Sequence, residues 1–115
     1  MDPSCIFCKI AAREIPADVV HATETVLAFR DTNPQAPVHI LIIPKLHIES
    51  ISSIEDQHGR VLTDMFHAAN HLASTEGIDG SGYRIVTNVG AHGGQTVFHL
   101  HFHLLGGRPM TWPPG

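Results

Sequence analysis

Three histidines stand at every second position near the carboxyl end of the chain, in the stretch TVFHLHFHLLGG. Neutral imidazole carries a lone pair near pH 7, because its unperturbed pKa is roughly 6.5. Such a row can therefore supply nucleophiles for phosphorus chemistry or ligands for a metal ion. Neighbouring imidazoles resist being protonated together. We expect at least one of His99, His101 and His103 to be neutral and nucleophilic, in covalent catalysis that divides one difficult step into two.

A glycine pair directly precedes the histidine row, in the segment AHGGQT. Gly93 and Gly94 can adopt backbone conformations that are closed to other residues, so this turn can direct successive amide N–H groups at an anion. Gln95 and Thr96 would add side-chain donors. Most glycine pairs are only turns, but beside three histidines we interpret this one as a phosphate cradle.

A Cys-Ile-Phe-Cys segment near the amino terminus supplies a second candidate centre. Cys5 and Cys8 have the spacing of a two-thiolate half of a tetrahedral zinc site, and the chain's 10 histidines could supply further ligands. A thioredoxin-type redox pair and two chemically silent thiols are the alternatives for this spacing. In the absence of a secretion signal, we expect reduced thiols and a cytoplasmic location.

Isolated polar residues are weaker candidates. His39 and His47 flank the apolar segment ILIIPKL, and each fits a surface histidine at least as well as a functional one. Asp31 either binds a sugar diol through its two acceptor oxygens or forms a turn ahead of Pro34. Asn88, which precedes the glycine loop, is open to the same two interpretations.

The elements that would position these residues follow from the periodicity of the chain. Alternation in the histidine row predicts a strand, with the three imidazoles on one face and the intervening apolar residues, Phe98 included, buried on the other. A short helix is predicted over CIFCKIAARE, capped by Ser4, and a long helix from Ser53 to Gly77, where apolar residues recur at three- and four-residue steps. Further strands are predicted at Val19–Ala22, Val26–Asp31, Val38–Pro44 and Tyr83–Val89.

The length and composition of the chain restrict its class. Its 115 residues predict a single domain spanning 1–115. The formal charge is −4 and the 7 basic residues are scattered, whereas binding of a nucleic-acid backbone needs a clustered basic face. No apolar run approaches the roughly eighteen residues of a membrane span. We therefore expect neither nucleic acid nor a membrane as a partner.

The motifs of the chain resemble those of the histidine triad (HIT) superfamily. The row from Gln95 to Leu105 matches the His-x-His-x-His signature of that superfamily, and CIFCKI with EIPA is similar to its amino-terminal segment. LAFRDTNPQAPVHILIIPKLHI is similar to its central block. LGGRPMTWPPG resembles the carboxyl end of the Hint branch, the histidine triad nucleotide-binding proteins. The cysteine pair is typical of the bacterial members that carry zinc.

This resemblance implies an α+β fold with a five-stranded antiparallel sheet, a short amino-terminal helix and one long helix. It also implies a homodimer with a continuous sheet. Trp112 lies on a proline-stiffened tail, which is then expected to reach across the interface toward the other active site.

The resemblance implies hydrolysis of purine nucleoside 5′-phosphoramidates, such as AMP or GMP joined to an amine, through a nucleotidyl-histidine. His101 would be the nucleophile, and His103 would contact phosphate with support from His39. Thr96, where this branch usually has serine, would bind phosphate or the leaving group, and Asp31 would hold the ribose. The other implied nucleotide contacts are Asn88, Gly94 and Gln95 at the phosphate, and Phe7, Ile10, Ile15, Phe29 and Thr32 around the purine.

The zinc-carrying members suggest that a structural zinc ion is held by Cys5, Cys8, His47 and His99. The resemblance implies neither a catalytic metal nor an organic cofactor. A nucleotide- or zinc-binding regulatory module with incidental hydrolysis is the alternative function, because a slow hydrolase and a nucleotide sensor need the same pocket.

Overall fold

The computed structural model describes residues 2–115. Its strands form one antiparallel sheet in the order β1-β2-β3-β5-β4. This confirms the predicted α+β class with a five-stranded antiparallel sheet, a short helix and a long helix. The elements are α1 (Ile6–Ala11), β1 (Val19–Ala22), β2 (Val26–Arg30), β3 (Val38–Pro44), α2 (Gly59–Thr75), β4 (Tyr83–Val86) and β5 (Phe102–Gly106), with 3-10 turns at Ile51–Ser53 and Asp56–His58.

The two helices cover opposite faces of the sheet. The apolar stripe of α2 buries Met65, Ala69 and Leu72 in the larger core cluster. The shorter α1 buries Phe7 and Ile10 in a second cluster on the other face. β3 lies at the centre of the sheet and is buried along its whole length.

Alternation along β3 and β5 decides which residues reach the α1 face. In β5, Phe102 and Leu104 belong to the α2 cluster, so His103 points to the opposite side. In β3, Ile40 likewise belongs to the α2 cluster, which directs His39 to the α1 side. The two strands pair directly, so they bring these two histidines together on one face.

The histidine strand is shorter than the sequence predicts. β5 begins at Phe102, so His99 and His101 lie in the segment before it. Side-chain hydrogen bonds fix this segment instead. The His99 ring donates from Nε2 to Pro44 O at the end of β3 at 2.8 Å, and the His101 carbonyl accepts from Thr87 Oγ1 at 2.9 Å. These contacts hold the first two histidines in place without a sheet ladder.

Two related predictions are also wrong. Phe98 is 51% exposed rather than buried, because the strand alternation begins only after it. β4 ends at Val86 instead of Val89, since the next residue, Thr87, turns its hydroxyl to a carbonyl of the neighbouring segment.

The amino-terminal helix is capped by Cys5 and not by Ser4. The Cys5 Sγ accepts a hydrogen bond from Cys8 N at 3.3 Å, whereas the Ser4 hydroxyl donates to the Asp2 carboxylate. A thiol that the sequence marks as a metal ligand therefore also sets the start of α1.

The long helix starts later than predicted. Glu55 has extended backbone angles, and it forms a reciprocal capping box with His58 that interrupts the helical path. α2 therefore begins at Gly59 rather than Ser53. Its predicted end is confirmed, because Gly77 adopts a φ of +73°, the left-handed conformation that glycine tolerates after a helix.

Candidate active site and metal centre

Two thiols and two imidazoles converge where α1 meets the segment before β5. Cys5 Sγ lies 3.3 Å from His99 Nδ1, and Cys8 Sγ lies 3.3 Å from His47 Nδ1 and 3.5 Å from His99 Nδ1. All four ligand atoms lie within 4.8 Å of one another. Both cysteines are free and buried. The structure thus brings together the four residues that the resemblance implies as ligands.

The spacing of this cluster suits a tetrahedral zinc ion. Zinc lies about 2.3 Å from sulfur and 2.0–2.1 Å from nitrogen, which gives tetrahedral S···N edges of about 3.5 Å. The tautomer of His99 also fits, because its Nε2 donates to Pro44 O and leaves the lone pair on Nδ1, facing the thiols. Burial lowers the pKa of His99, which favours the neutral imidazole that binds metal.

The second histidine of the row is oriented by the first. His101 Nδ1 donates to His99 O at 2.7 Å, so the lone pair of His101 is on Nε2. The ring is buried and packs edge-on against Phe7, with 5.1 Å between centroids. Charge that develops on this imidazole during attack would be stabilised by the carbonyl at its other nitrogen. His101 Nε2 therefore has the properties of a nucleophile.

The third histidine is oriented by a chain of hydrogen bonds. Gln35 N donates to His39 Nδ1 at 3.0 Å, so the His39 proton is on Nε2. His39 Nε2 in turn donates to His103 Nδ1 at 2.9 Å and lies 3.4 Å from Asp31 Oδ2. His103 consequently carries its proton on Nε2. A proton at that atom can be donated to a phosphate oxygen.

Burial keeps these two imidazoles neutral. The pKa of His103 is lowered to about 4 by burial and by the proximity of His101 and His39, against a smaller opposing effect of Asp31. Burial also lowers the pKa of His39, again opposed by Asp31. At pH 7 the bond between His39 and His103 thus joins two neutral rings.

A cavity of about 490 Å³ opens beside the imidazoles. Phe7 lines this cavity and also contacts His101. Asp31 lines it and also contacts His39. The volume lies within the range of small-ligand pockets. All five residues that the resemblance implies around a purine are among its lining residues, which are Ile6, Phe7, Ile10, Ile15, Pro16, Ala17, Asp18, Phe29, Arg30, Asp31, Thr32 and Leu41.

Asp31 forms the turn that one of its two sequence interpretations predicted, and it also lines the cavity. Its Oδ1 accepts a hydrogen bond from Asn33 N at 2.8 Å, as in a turn. Its carboxylate nevertheless faces the cavity and keeps acceptor capacity for a diol.

The glycine loop is held by hydrogen bonds of its own backbone. Gly94 has a φ of +83°, and its N–H donates to Ala91 O at 3.1 Å. Gln95 N donates to Gly90 O at 3.0 Å. At Gly93 a Cβ atom would lie 2.3 Å from Val89 O, so only glycine fits. Two of the amides that were expected to face an anion are therefore used inside the loop.

The predicted phosphate contacts differ in their freedom to bind a ligand. The buried Gln95 amide accepts from Gly90 N and donates to Glu49 O and Val97 O, so its donors hold the loop. Thr96 is exposed and Asn88 is half-buried. Their side chains remain available at the ends of this loop.

Sequence reasoning missed several residues that shape the site. Gln35 acts through its backbone N–H, for which its side-chain type gives no signal. Arg30 lines the cavity and is held by Glu76 through hydrogen bonds of 2.8 and 3.2 Å. Asp18 lies 3.8 Å from the same guanidinium. The position of Arg30 at the end of a predicted strand, next to Asp31, is the one signal that the sequence offered.

A larger groove of about 570 Å³ lies between α2 and the β1–β2 hairpin. It contains His21, His67 and His71, and the rings of His21 and His71 are 4.7 Å apart. Within residues 2–115, however, groups of three or more ligand atoms converge only at the zinc-type cluster and at Asp31, His39 and His103. The smaller cavity, which adjoins both of these groups, is therefore the candidate active site.

Comparison with known proteins identifies the family of this chain. The family model described as "HIT domain" matches residues 12–110. The chain is 48% identical over 110 residues to the purine nucleoside phosphoramidase of Escherichia coli K12, covering 96% of this chain and 92% of that protein. It is 50% identical over 116 residues to the 14 kDa zinc-binding protein of Zea mays, covering 99% and 90%. The crystal structure of a HIT family hydrolase from Legionella pneumophila superposes with a TM-score of 0.96 at 54% identity, covering 97% of this chain and 100% of the other.

Proposed function

Because this chain belongs to the HIT domain family and is a hydrolase, we propose that it cleaves purine nucleoside 5′-phosphoramidates at the phosphorus–nitrogen bond. One observation carries the proposal. His101 donates from Nδ1 to a backbone carbonyl, which leaves a buried Nε2 lone pair beside a cavity that has apolar walls and a carboxylate. The E. coli relative is a purine nucleoside phosphoramidase.

The reaction proceeds in two displacements. His101 Nε2 donates its lone pair to phosphorus, the bond from phosphorus to the amine nitrogen breaks, and the amine leaves after taking a proton from solvent. Water then attacks phosphorus and loses a proton. The bond from phosphorus to His101 Nε2 breaks, its electron pair returns to Nε2, and the nucleotide is released. The His99 carbonyl stabilises the positive imidazole of the intermediate, and the Nε2–H of His103 stabilises a phosphate oxygen.

The lining of the cavity assigns a part of the ligand to each group of residues. The purine lies among Phe7, Ile10, Ile15, Phe29 and Thr32, and Asp31 accepts hydrogen bonds from the ribose. Asn88, Thr96 and the loop around Gly94 lie at the phosphate and leaving-group end, where Gln95 acts by holding the loop. We propose that residues 1–115 form one such domain.

We propose that Cys5, Cys8, His47 and His99 bind a structural zinc ion. Soft thiolate and imidazole donors suit zinc, and four protein ligands leave no open position for a water molecule. The ion would join α1 to the segment before β5 without taking part in the reaction. The maize relative is a zinc-binding protein.

We also propose a homodimer with a continuous sheet. β4 lies at one edge of the sheet, and the apolar side chains of Phe66, Tyr83 and Val89 are exposed. The tail is fixed beside this edge because Arg84 donates to Thr111 O at 2.9 Å, yet Trp112 is 83% exposed. A second copy would cover this surface.

No helix among residues 2–115 is long and apolar enough to cross a membrane. Both thiols are free, and we propose that the protein works in a reducing compartment, the cytoplasm.

Turnover of adenosine and guanosine phosphoramidates by the purified chain tests the proposed reaction. Release of the amine together with AMP or GMP is the expected result. Tight binding of AMP without turnover of either amidate would instead support the alternative function, a nucleotide-binding regulatory module, because such a module needs the same cavity.

A further inference from the structure

We propose that Arg108 is a positioning residue for this reaction, which acts through the backbone of Gln35 to keep His39 in the tautomer that orients His103. The kinetic part of this inference rests on the proposed function. Its structural part rests on hydrogen bonds alone.

The guanidinium of Arg108 clamps one backbone carbonyl. Its Nε and Nη2 donate to Gln35 O at 3.1 and 2.9 Å, and its Nη1 donates to Pro109 O at 3.0 Å. The forked donor pair fixes the orientation of the acceptor as well as its distance. The preceding residue, Gly107, has a φ of +90°, and a Cβ atom there would lie 2.9 Å from Pro37 Cβ. The turn after β5 therefore packs directly on the loop that contains Gln35.

This clamp is the external support of the loop. Other hydrogen bonds of the loop are internal: Asn33 N donates to Asp31, and the Gln35 side chain donates to Asn33 O. Among the hydrogen bonds of residues 2–115, those of Arg108 alone reach residues 32–37 from outside the segment 31–39. Apart from the buried Ala36 and the contact of Pro37 with the turn after β5, the loop is exposed, so little other packing holds it.

The clamped residue also sets a tautomer. Gln35 N donates to His39 Nδ1, so Nδ1 cannot carry a proton. The single ring proton of His39 is therefore on Nε2. Only with a proton on Nε2 can His39 donate to His103 Nδ1. Only then does His103 carry its own proton on Nε2, where a phosphate oxygen binds.

Removal of the guanidinium frees Gln35 to move away from His39. His39 can then take the tautomer with a proton on Nδ1, and His103 loses its donated hydrogen bond. We expect the Arg108→Met variant to lower kcat about tenfold, since misplaced catalytic groups commonly reduce rates by this order. KM should change less than kcat, because most of the proposed purine contacts, which are Phe7, Ile10, Ile15 and Phe29, lie outside the clamped loop.

The test combines nitrogen-15 NMR of the imidazoles with steady-state kinetics. Ring nitrogen shifts distinguish protonated from unprotonated nitrogen, and they require no substrate. Arg60→Met is the matched control, because Arg60 is an exposed arginine on α2 whose Nε lies 3.4 Å from Asp64. Wild type and this control should show His39 and His103 as Nε2–H tautomers. Arg108→Met should show a mixture of Nδ1–H and Nε2–H tautomers. Arg108→Lys, which keeps a single donor nitrogen, should restore most of the wild-type tautomer population and most of the rate.

Unchanged tautomers in Arg108→Met, or an unchanged kcat, would overturn the inference. If Arg108→Met does not fold, tautomer populations in Arg108→Lys decide, since a weaker clamp must give a detectable Nδ1–H fraction. If wild type does not cleave phosphoramidates, the proposed function fails, while the spectra still decide whether Arg108 sets the His39 tautomer.

Discussion

At the scale of single residues, the partner of one ring nitrogen decides what each imidazole can do. His99 donates from Nε2 and presents Nδ1 to the thiols, whereas His101 donates from Nδ1 and keeps its lone pair on Nε2. His39 accepts at Nδ1 and thereby makes His103 a donor. The proposed function thus uses one residue type as a metal ligand, a nucleophile and a proton donor.

The nucleophile can be tested by removing it. His101→Ala should lower kcat by at least about 10³-fold, because the covalent route is lost. AMP binding measured by calorimetry should persist, since the proposed base and ribose contacts are intact. Rapid quench of wild type with a labelled adenylyl amidate should trap the label on His101 in an acid-labile linkage. His67→Ala, which removes an exposed histidine of α2, is the control. Near-normal turnover of His101→Ala would refute the proposed mechanism.

The depressed pKa of His103 predicts acid sensitivity of the fold. Unfolded histidine titrates near 6.5, while folded His103 titrates at about 4, so the unfolded chain binds more protons between these values. The stabilisation is complete above about pH 6.5 and is lost as the pH falls toward 4. Urea unfolding of the zinc-loaded protein across this range measures the slope. His103→Asn should show a smaller slope, and an equal slope in both proteins would contradict the assignment.

At the scale of elements, α1 is a helix of only six residues. Isolated helices of this length are not stable, so its place depends on Phe7 and Ile10 in the core and on its two thiols. A zinc ion held by Cys5, Cys8, His47 and His99 would tie α1 to the segment before β5.

Removal of zinc should therefore lower stability more than activity. The purified chain should contain about one zinc ion, and the double variant Cys5→Ser, Cys8→Ser should contain none. We expect the melting temperature of the double variant to fall by at least about 5 °C, as for a loss of 1–2 kcal/mol or more, while kcat at 25 °C falls less than threefold. Cobalt-loaded wild type should show thiolate charge-transfer absorption. A metal-free native chain with reduced thiols would contradict the proposed site.

Local pattern was sufficient to predict most elements, while long-range contacts set the ones that differ. β3 is rich in β-branched residues, and its bounds match the prediction. The start of β5 depends on a bond from His99 to Pro44, 55 residues away in the chain, and periodicity cannot show such a bond. The donors of Gln95 are likewise used by Glu49 O. Spacing suggested the two thiolates of the candidate metal centre, whereas its two histidines were implied by family resemblance, because spacing alone left alternatives for every histidine.

At the scale of the whole molecule, the sheet is asymmetric in its edges. β1 and β4 are its two edge strands, and β4 carries the exposed Tyr83 and lies beside the tail. An edge strand with apolar neighbours is commonly covered by another chain. In a dimer formed through this edge, the carboxyl-terminal tail of each chain would lie near the cavity of the other chain.

Deletion of Thr111–Gly115 should alter the choice of leaving group without separating the dimer. Trp112 would lie near the amine side of the other cavity, so kcat/KM ratios among small, aliphatic and aromatic amidates should shift by about threefold or more, of the order of one lost apolar contact. Sedimentation should give twice the chain mass of 12.5 kDa for both proteins. An unchanged amine profile, or a monomeric wild type, would exclude this role for the tail.

The start of α1 contributes to both the cysteine–histidine cluster and the cavity, which restricts the changes that this segment tolerates. The residues of α1 and its N-cap supply both the thiols of the cluster and the Phe7 and Ile10 walls of the cavity. A single residue inserted between Cys5 and Cys8 would rotate the following side chains by about 100°, and both features would be lost together. Under the proposed function, substitution at Ile10 or Ile15 would change base preference, whereas the number of residues between Cys5 and Cys8 must stay the same.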